Sequence, residues 1–228
     1  MFYHSLCNQL RQLPFQMVLV YLIHVFFSII PLVVLRPQSG HFIFRPLSEK
    51  ENMPTVPISP YALTKLVGEQ YCKLFYDLYG METVSLRYFN VFGPYQDPDS
   101  EYAAVIPKFI KAILNDKQPV IYGDGLQSRD FSFVGNVVKA NLLACEVKNK
   151  FGEVFNIACG ESYNLLELVK KINEILGKDI KPEFSEPRKG DIRHSLADIS
   201  KAEKLLSYKV EYGFEEGLKR TIDFFKNK

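Results

Sequence analysis

Residues 59–80 carry the most legible helix signal in the chain, and that helix limits what the rest can fold into. Ser59 suits the N-cap and Pro60 the first helical position, where a missing N–H costs nothing. Leu63, Leu66, Val67, Tyr71, Leu74, Phe75 and Leu78 then recur at spacings of three and four, and Gly80 supplies the stop. The pattern predicts a helix over 60–79 with that apolar stripe buried. Tyr61 and Lys65 stand four residues apart, so they share a face away from the stripe. An ammonium beside a phenol favours the phenolate, which is one way to build a base that works near neutral pH. A Tyr-x-x-x-Lys also arises by chance in long helices, so the surrounding sequence has to decide.

That sequence alternates short apolar runs with amphipathic ones. Residues 83–88 read as a buried strand ending in the turn Asn90-Val91-Phe92-Gly93-Pro94. A helix is expected over 103–115, a short strand over 119–122 and a turn at Gly123-Asp124-Gly125. A strand over 129–134, a helix over 137–147 and a strand over 153–158 follow. Next come a helix over 165–176 stopped by Gly177, an extended stretch over 181–185, a helix capped by Asp198 and ending at 206, and a last helix over 214–225. This order argues for an α/β fold with a mainly parallel sheet.

Composition narrows the function. At 228 residues and 47% hydrophobic content the chain can bury a sizeable core as one or two domains. A net charge of +2 with interspersed signs offers no stripe for a polyanion, so no nucleic-acid partner is expected. Cys7, Cys72, Cys145 and Cys159 form no Cys-x-x-Cys pair, which points to reduced thiols in a cytoplasm. Only His194 lies beyond residue 41, so no histidine-built metal site is expected in the main body.

Several blocks, in order, carry a family resemblance. They are Pro57-Ile58-Ser59-Pro60-Tyr61-Ala62-Leu63-Thr64-Lys65, Arg87-Tyr88-Phe89-Asn90-Val91-Phe92-Gly93-Pro94, Ala104-Val105-Ile106-Pro107, Tyr122-Gly123-Asp124-Gly125, Arg129-Asp130-Phe131 and Arg188-Lys189-Gly190-Asp191. Together they resemble the extended short-chain dehydrogenase/reductase family, and within it the nucleotide-sugar epimerases, UDP-hexose 4-epimerases above all. The resemblance implies the C-terminal part of a Rossmann-like doubly wound parallel sheet with a smaller α/β substrate-binding domain. It divides the chain into an unmatched segment 1–45, a remainder of the NAD-binding domain over 46–160 and a mainly substrate-binding part over 161–228. It implies NAD as cofactor, a UDP-sugar as substrate and a homodimer if the protein is intact.

The site residues follow residue by residue. Tyr61 would be the catalytic base and Lys65 would bind the nicotinamide ribose and hold the Tyr61 pKa down, with Phe89 against the nicotinamide. Arg129 and Arg188 can make forked, charge-assisted hydrogen bonds to a diphosphate, although a single arginine is often just a solvated surface group. Asn90 can offer its amide to a phosphate or sugar hydroxyl, or simply make the turn. Tyr122 can stack on the base or ribose, or belong to the core. Asp191 can accept from ribose hydroxyls or hold Arg188. Ala104 and Val105 line the same space in the family. Ser195 falls where a bulky tyrosine restricts the family's pocket to plain hexoses. Small Ser195 and Ala104 therefore imply UDP-N-acetylglucosamine and UDP-N-acetylgalactosamine, unless Ser195 is an exposed loop serine.

The chain also departs from the family. A glycine-rich Gly-x-x-Gly-x-x-Gly turn, which seats the cofactor pyrophosphate on a helix N-terminus, is not in this sequence: its first two glycines are Gly40 and Gly68. Ser39 is the one candidate for the family's Ser/Thr that binds the sugar O4. Residues 17–35 are almost wholly apolar and close to a membrane span in length, but His24, Ser28 and Pro31 interrupt them. They read as a membrane anchor, a buried strand pair or, as favoured here, sequence foreign to this fold. Weak NAD binding and poor folding in isolation are then expected. Two other functions share these residues: a nucleotide-sugar 4,6-dehydratase or decarboxylase fragment, and a non-catalytic, membrane-tethered epimerase remnant.

Overall fold

The computed structural model describes residues 48–57, 59–99, 104–149, 151–188, 191 and 193–227. The apolar segment 17–35 and Ser39 lie outside them. In chain order the elements are α1 (Pro60–Tyr79), β1 (Val84–Tyr88), β2 (Val91–Phe92), α2 (Val105–Leu114), β3 (Val120–Tyr122), β4 (Ser128–Arg129) and β5 (Ser132–Phe133). They continue with α3 (Val134–Glu146), β6 (Glu153–Ile157), β7 (Tyr163–Asn164), α4 (Leu165–Leu176), β8 (Glu183–Ser185), α5 (Ser200–Leu206) and α6 (Phe214–Lys226). The fold is α/β, and the pairs β1–β6, β2–β5 and β3–β8 are parallel while β4–β7 is antiparallel.

Helix α1 starts and stops where the sequence says. The Ser59 hydroxyl accepts from the Ala62 N–H at 3.1 Å, and Gly80 closes the helix at φ 65°. Its orientation corrects the expectation. Leu63, Val67, Tyr71, Leu74, Phe75 and Leu78 are exposed, while Ala62 and Cys72 are the buried residues. The face turned to the sheet is the one carrying Glu69, which pairs with Arg87 of β1, and Cys72, whose carbonyl accepts from the Thr83 hydroxyl at 2.8 Å. Hydrophobic periodicity measures apolar area, and here the side facing β1 carries a partly buried ion pair and a hydroxyl bond.

Two hydrophobic cores follow. One lies between β1–β6 and helices α3 and α5, built on Phe155, Ile157, Val137, Ala140 and Leu206 with Tyr208. The other gathers α2, α4 and α6 around β2, β3 and β5, with Ile110, Ile121, Phe133, Leu168 and Leu218 at its centre. Gly93 sits at the seam of β2 and α3, where an added Cβ would lie 2.5 Å from Val134 Cγ1. Among the described residues no helix is long and apolar enough to cross a membrane.

The strand expected over 129–134 is two strands separated by Asp130 and Phe131, and α3 begins already at Val134. Asp130 causes the break by turning its carboxylate inward. The side chain is fully buried and accepts from the backbone N–H groups of Cys159 at 2.9 Å, Gly160 at 3.0 Å and Ala197 at 3.3 Å. Asp198 caps α5 from one residue further out than expected, its Oδ1 accepting from the Ser200 N–H while Ile199 holds the N-cap position.

Burial raises the Asp130 carboxyl from 3.8 to about 6, the desolvation of the charge outweighing its three N–H donors. The folded state keeps the proton to higher pH than the unfolded chain. The stability that Asp130 contributes is therefore fully present below about pH 4 and is lost as pH rises through about 6. Asp130→Asn keeps one acceptor and points an NH2 group at buried donors, which should cost about 1–3 kcal/mol. Urea midpoints should show that loss, and the gap between parent and variant should narrow as pH rises from about 4.5 to about 7.

Candidate functional site

The expected site residues fall into two groups. The first is on α1 and at the end of β1. Tyr61 and Lys65 are partly buried, with the Lys65 Nζ 5.2 Å from the centre of the Tyr61 ring. Burial lowers the Lys65 pKa. Glu69, one turn further along, is held in a forked pair by Arg87, with bonds of 2.8 and 2.7 Å. Arg87 also donates to the Glu51 carbonyl at 3.3 Å. Phe89 follows β1 directly, is buried, and packs with Ala158 and Ala197. Phenol, ammonium and aromatic thus belong to the C-terminal end of a parallel strand and the helix beside it, where α/β folds place their ligands.

The second group lines a cleft of about 520 Å³ between α2, β3 and β4. Asn90, Ala104, Val105, Tyr122, Arg129, Arg188 and Asp191 all border it. Asn90 makes the turn as well as lining the cleft: it sits at φ 33°, its side-chain amide donates to the Asp130 carbonyl at 3.1 Å, and its own carbonyl accepts from Ser132. Arg129 donates to Asp191 Oδ1 at 2.6 Å and to the Ser128 carbonyl at 2.9 Å. Asp191 thus pairs with Arg129, whereas Arg188 stacks on Tyr122 with its guanidinium carbon 3.9 Å from the ring centre. Helix α2 opens on Ala104, whose side chain supplies no cap hydrogen bond, and its N-terminus borders the cleft. Two guanidinium groups, a helix N-terminus and an aromatic ring suit a ligand that is an oxyanion at one end and a planar ring at the other.

Lys108 and Gln127 are among the cleft residues that escaped the sequence reading. Lys108 lies one turn after Ala104 on α2, a spacing that would have put it on the same face. Gln127 is buried and donates to the Tyr122 carbonyl at 2.6 Å. Its signal was only its place between the glycine turn and Arg129. Tyr61, Lys65, Phe89 and Ser195 do not line this cleft. Ser195 is buried, not an exposed loop residue, and its N–H donates to the Ser128 carbonyl at 3.0 Å. Two residues later Ala197 touches the Phe89 cluster, so this segment runs from β4 beside the cleft to the end of β1.

Residues 38–158 match the sequence model of the NAD dependent epimerase/dehydratase family. The chain belongs to this family. A protein of Methanocaldococcus jannaschii described as a putative UDP-glucose 4-epimerase is 45% identical over 177 residues, which cover 78% of this chain and 56% of that one. Among solved structures, a UDP-N-acetylglucosamine 4-epimerase from Methanobrevibacter ruminantium in complex with UDP-N-acetylmuramic acid superposes with a TM-score of 0.75 at 48% identity. That match covers 82% of this chain and 59% of the other. The UDP-glucose 4-epimerase of Thermotoga maritima with UDP-glucose gives a TM-score of 0.76 at 40% identity, over 81% and 59%. The chain therefore spans little more than half the length of these relatives.

For a dinucleotide of the kind the family name implies, the chain's residues fit one end. The partly buried Tyr61–Lys65 pair and the apolar Phe89 suit a nicotinamide riboside, whereas a Gly-x-x-Gly-x-x-Gly cradle for the pyrophosphate is not in the sequence.

Because α1 meets β1 through Glu69 and Arg87, the placing of Tyr61 and Lys65 depends on that pair. Arg87→Met strands a partly buried carboxylate and should lower stability by about 1–3 kcal/mol. The double variant Arg87→Met with Glu69→Gln should regain most of that loss in urea unfolding.

Proposed function

We propose that this chain is the C-terminal part of an NAD-dependent nucleotide-sugar 4-epimerase that interconverts UDP-N-acetylglucosamine and UDP-N-acetylgalactosamine through a 4-keto sugar. The observation that carries the reading is the cleft itself, lined by Arg129, by Arg188 stacked on the Tyr122 ring and by the N-terminal end of α2. In this reading Arg129 and Arg188 hold the diphosphate, Asn90 and the first turn of α2 share that charge, and Asp191 accepts from ribose hydroxyls. The nucleotide stays fixed while the sugar end is free to turn over. Tyr61 as phenolate takes the proton from the sugar O4 and later returns it, and Lys65 favours the phenolate by its charge. NAD, when bound, supplies the hydride acceptor for C4 and the donor that restores it.

The reading extends to organisation. Residues 46–160 complete the dinucleotide-binding side and 161–228 the substrate side. A cytoplasmic location is supported by cysteines that are unbridged among the described residues. The exposed apolar face of α1 supports a homodimer.

Two measurements test it. With a glycine-rich unit fused ahead of residue 46, Tyr61→Phe should cut 4-epimerisation about a hundred- to ten-thousandfold while UDP-sugar affinity stays near the parent value. Near-parent turnover would remove Tyr61 from the mechanism. The sugar is tested separately on Ser195→Tyr, which should lower kcat/KM for the N-acetyl sugars selectively, by about 1–3 kcal/mol of overpacking. Equal losses for UDP-galactose would remove Ser195 from substrate choice.

A further inference from the structure

Gln127 lines the cleft with half of its amide unused. The residue is 5% exposed, and its Nε2 donates to the Tyr122 carbonyl at 2.6 Å. That bond fixes which way round the amide sits, because the reverse orientation would set two oxygens against each other. The atom left over is Oε1. It is buried and accepts from no group among the described residues. A buried acceptor without a donor is costly, so the position suits a partner that brings one.

The turn that carries Gln127 has little freedom to find that donor by itself. Gly123 and Gly125 take φ values of 86° and 78°, and Asp124 Oδ1 accepts from the Leu126 N–H at 3.0 Å. A Cβ on Gly125 would come within 2.9 Å of Leu166, so the turn packs closely. The next N–H along, that of Ser128, is spent on the Arg193 carbonyl at 2.9 Å.

Helix α2 supplies the complement from its own wall of the cleft. Ala104, Lys108 and Ala112 stand four residues apart and all line the cleft, so the helix presents one cation between two small side chains. Lys108 is partly buried, and its ammonium makes no ion pair or hydrogen bond among the described residues. The two guanidinium groups are already engaged, Arg129 with Asp191 and Arg188 on the Tyr122 ring. The cleft therefore holds a spare acceptor at Gln127 and a spare donor at Lys108.

We propose that Gln127 and Lys108 read the base of the nucleotide, Gln127 Oε1 accepting from a ring N–H and the Lys108 ammonium donating to a ring carbonyl. The inference rests on the nucleotide-binding reading of the cleft and narrows it to one kind of base. A pyrimidine with N3–H between two carbonyls, as in uracil, offers one donor and two acceptors on neighbouring atoms. Cytosine has no hydrogen on N3, so the same pose sets a lone pair against Oε1. Such a site discriminates well, because the wrong ring leaves a buried polar group unpaired. Both residues determine specificity and take no part in the proton transfer at Tyr61.

The test is calorimetric titration of UDP, N3-methyl-UDP and CDP into the full 228-residue chain. Both analogues should bind about ten- to a hundredfold more weakly than UDP. In Gln127→Met the gap between UDP and N3-methyl-UDP should shrink to about threefold or less. That gap is a ratio read within one protein, so a loss of stability in the variant does not enter it. Lys108→Met should weaken UMP and UDP by the same factor, about three- to tenfold. A larger loss for UDP than for UMP would place the ammonium on the diphosphate and overturn its part. Equal binding of UDP, N3-methyl-UDP and CDP would leave Oε1 to water and overturn base reading, with the nucleotide reading intact. An unchanged gap in Gln127→Met would give the N–H to another acceptor and overturn the assignment. A parent chain that binds none of these ligands would overturn the nucleotide reading itself.

Discussion

The carboxylate of Asp130 fixes the relation between the two halves of the molecule. It is one buried charge, and its three N–H donors come from the end of β6 and from Ala197, on segments far apart in sequence. Taking an ion out of water is costly unless its hydrogen bonds are replaced, so these donors cannot drift without leaving the charge unpaired. Its neighbours then have no choice of direction. Arg129 on one side borders the cleft, and Phe131 on the other stacks on Phe214, with ring centres 5.5 Å apart, inside the core of α2, α4 and α6. A polar anchor thereby sets both an apolar contact and a guanidinium that lines the cleft.

Much of this was legible in the sequence, and the misses share a cause. Caps and stops are local chemistry, so Ser59, Gly80 and Gly177 mark helix ends that the structure reproduces within a residue or two. Arg129, Arg188 and the Tyr122 turn were readable because several blocks agreed in order. What could not be read was pairing at a distance. Nothing local to α1 says that Glu69 meets Arg87 on β1, so the larger apolar stripe suggested the wrong face. Nothing local to Asp191 chooses between Arg129 and Arg188. The inward turn of Asp130 likewise depends on donors from β6 and beyond, which is why one expected strand became two.

The two cores divide the chemistry. Tyr61 and Lys65 lie on the helix that packs against β1, while the cleft sits over the core of α2, α4 and α6. The segment from Ser195 to Ala197 links them, stitched to Ser128 at one end and packed with Phe89 at the other. A change of side-chain size at Ser195 is thus placed to be felt between the cleft and the end of β1, and its burial leaves little room to absorb one.

The pairing of β1 with β6 also sets an order of events during folding. Val84 to Tyr88 find their partners in Glu153 to Ile157, and the chain between them makes β2, α2, β3, β4, β5 and α3. The loop that must close to bring these strands together is long, and its entropic cost falls before the strand contacts can repay it. A helix forms from local contacts, whereas the parallel pair that aligns Phe89 and Ala158 has this long loop to close. The end of β1 that bears the aromatic therefore carries the entropic cost of that closure.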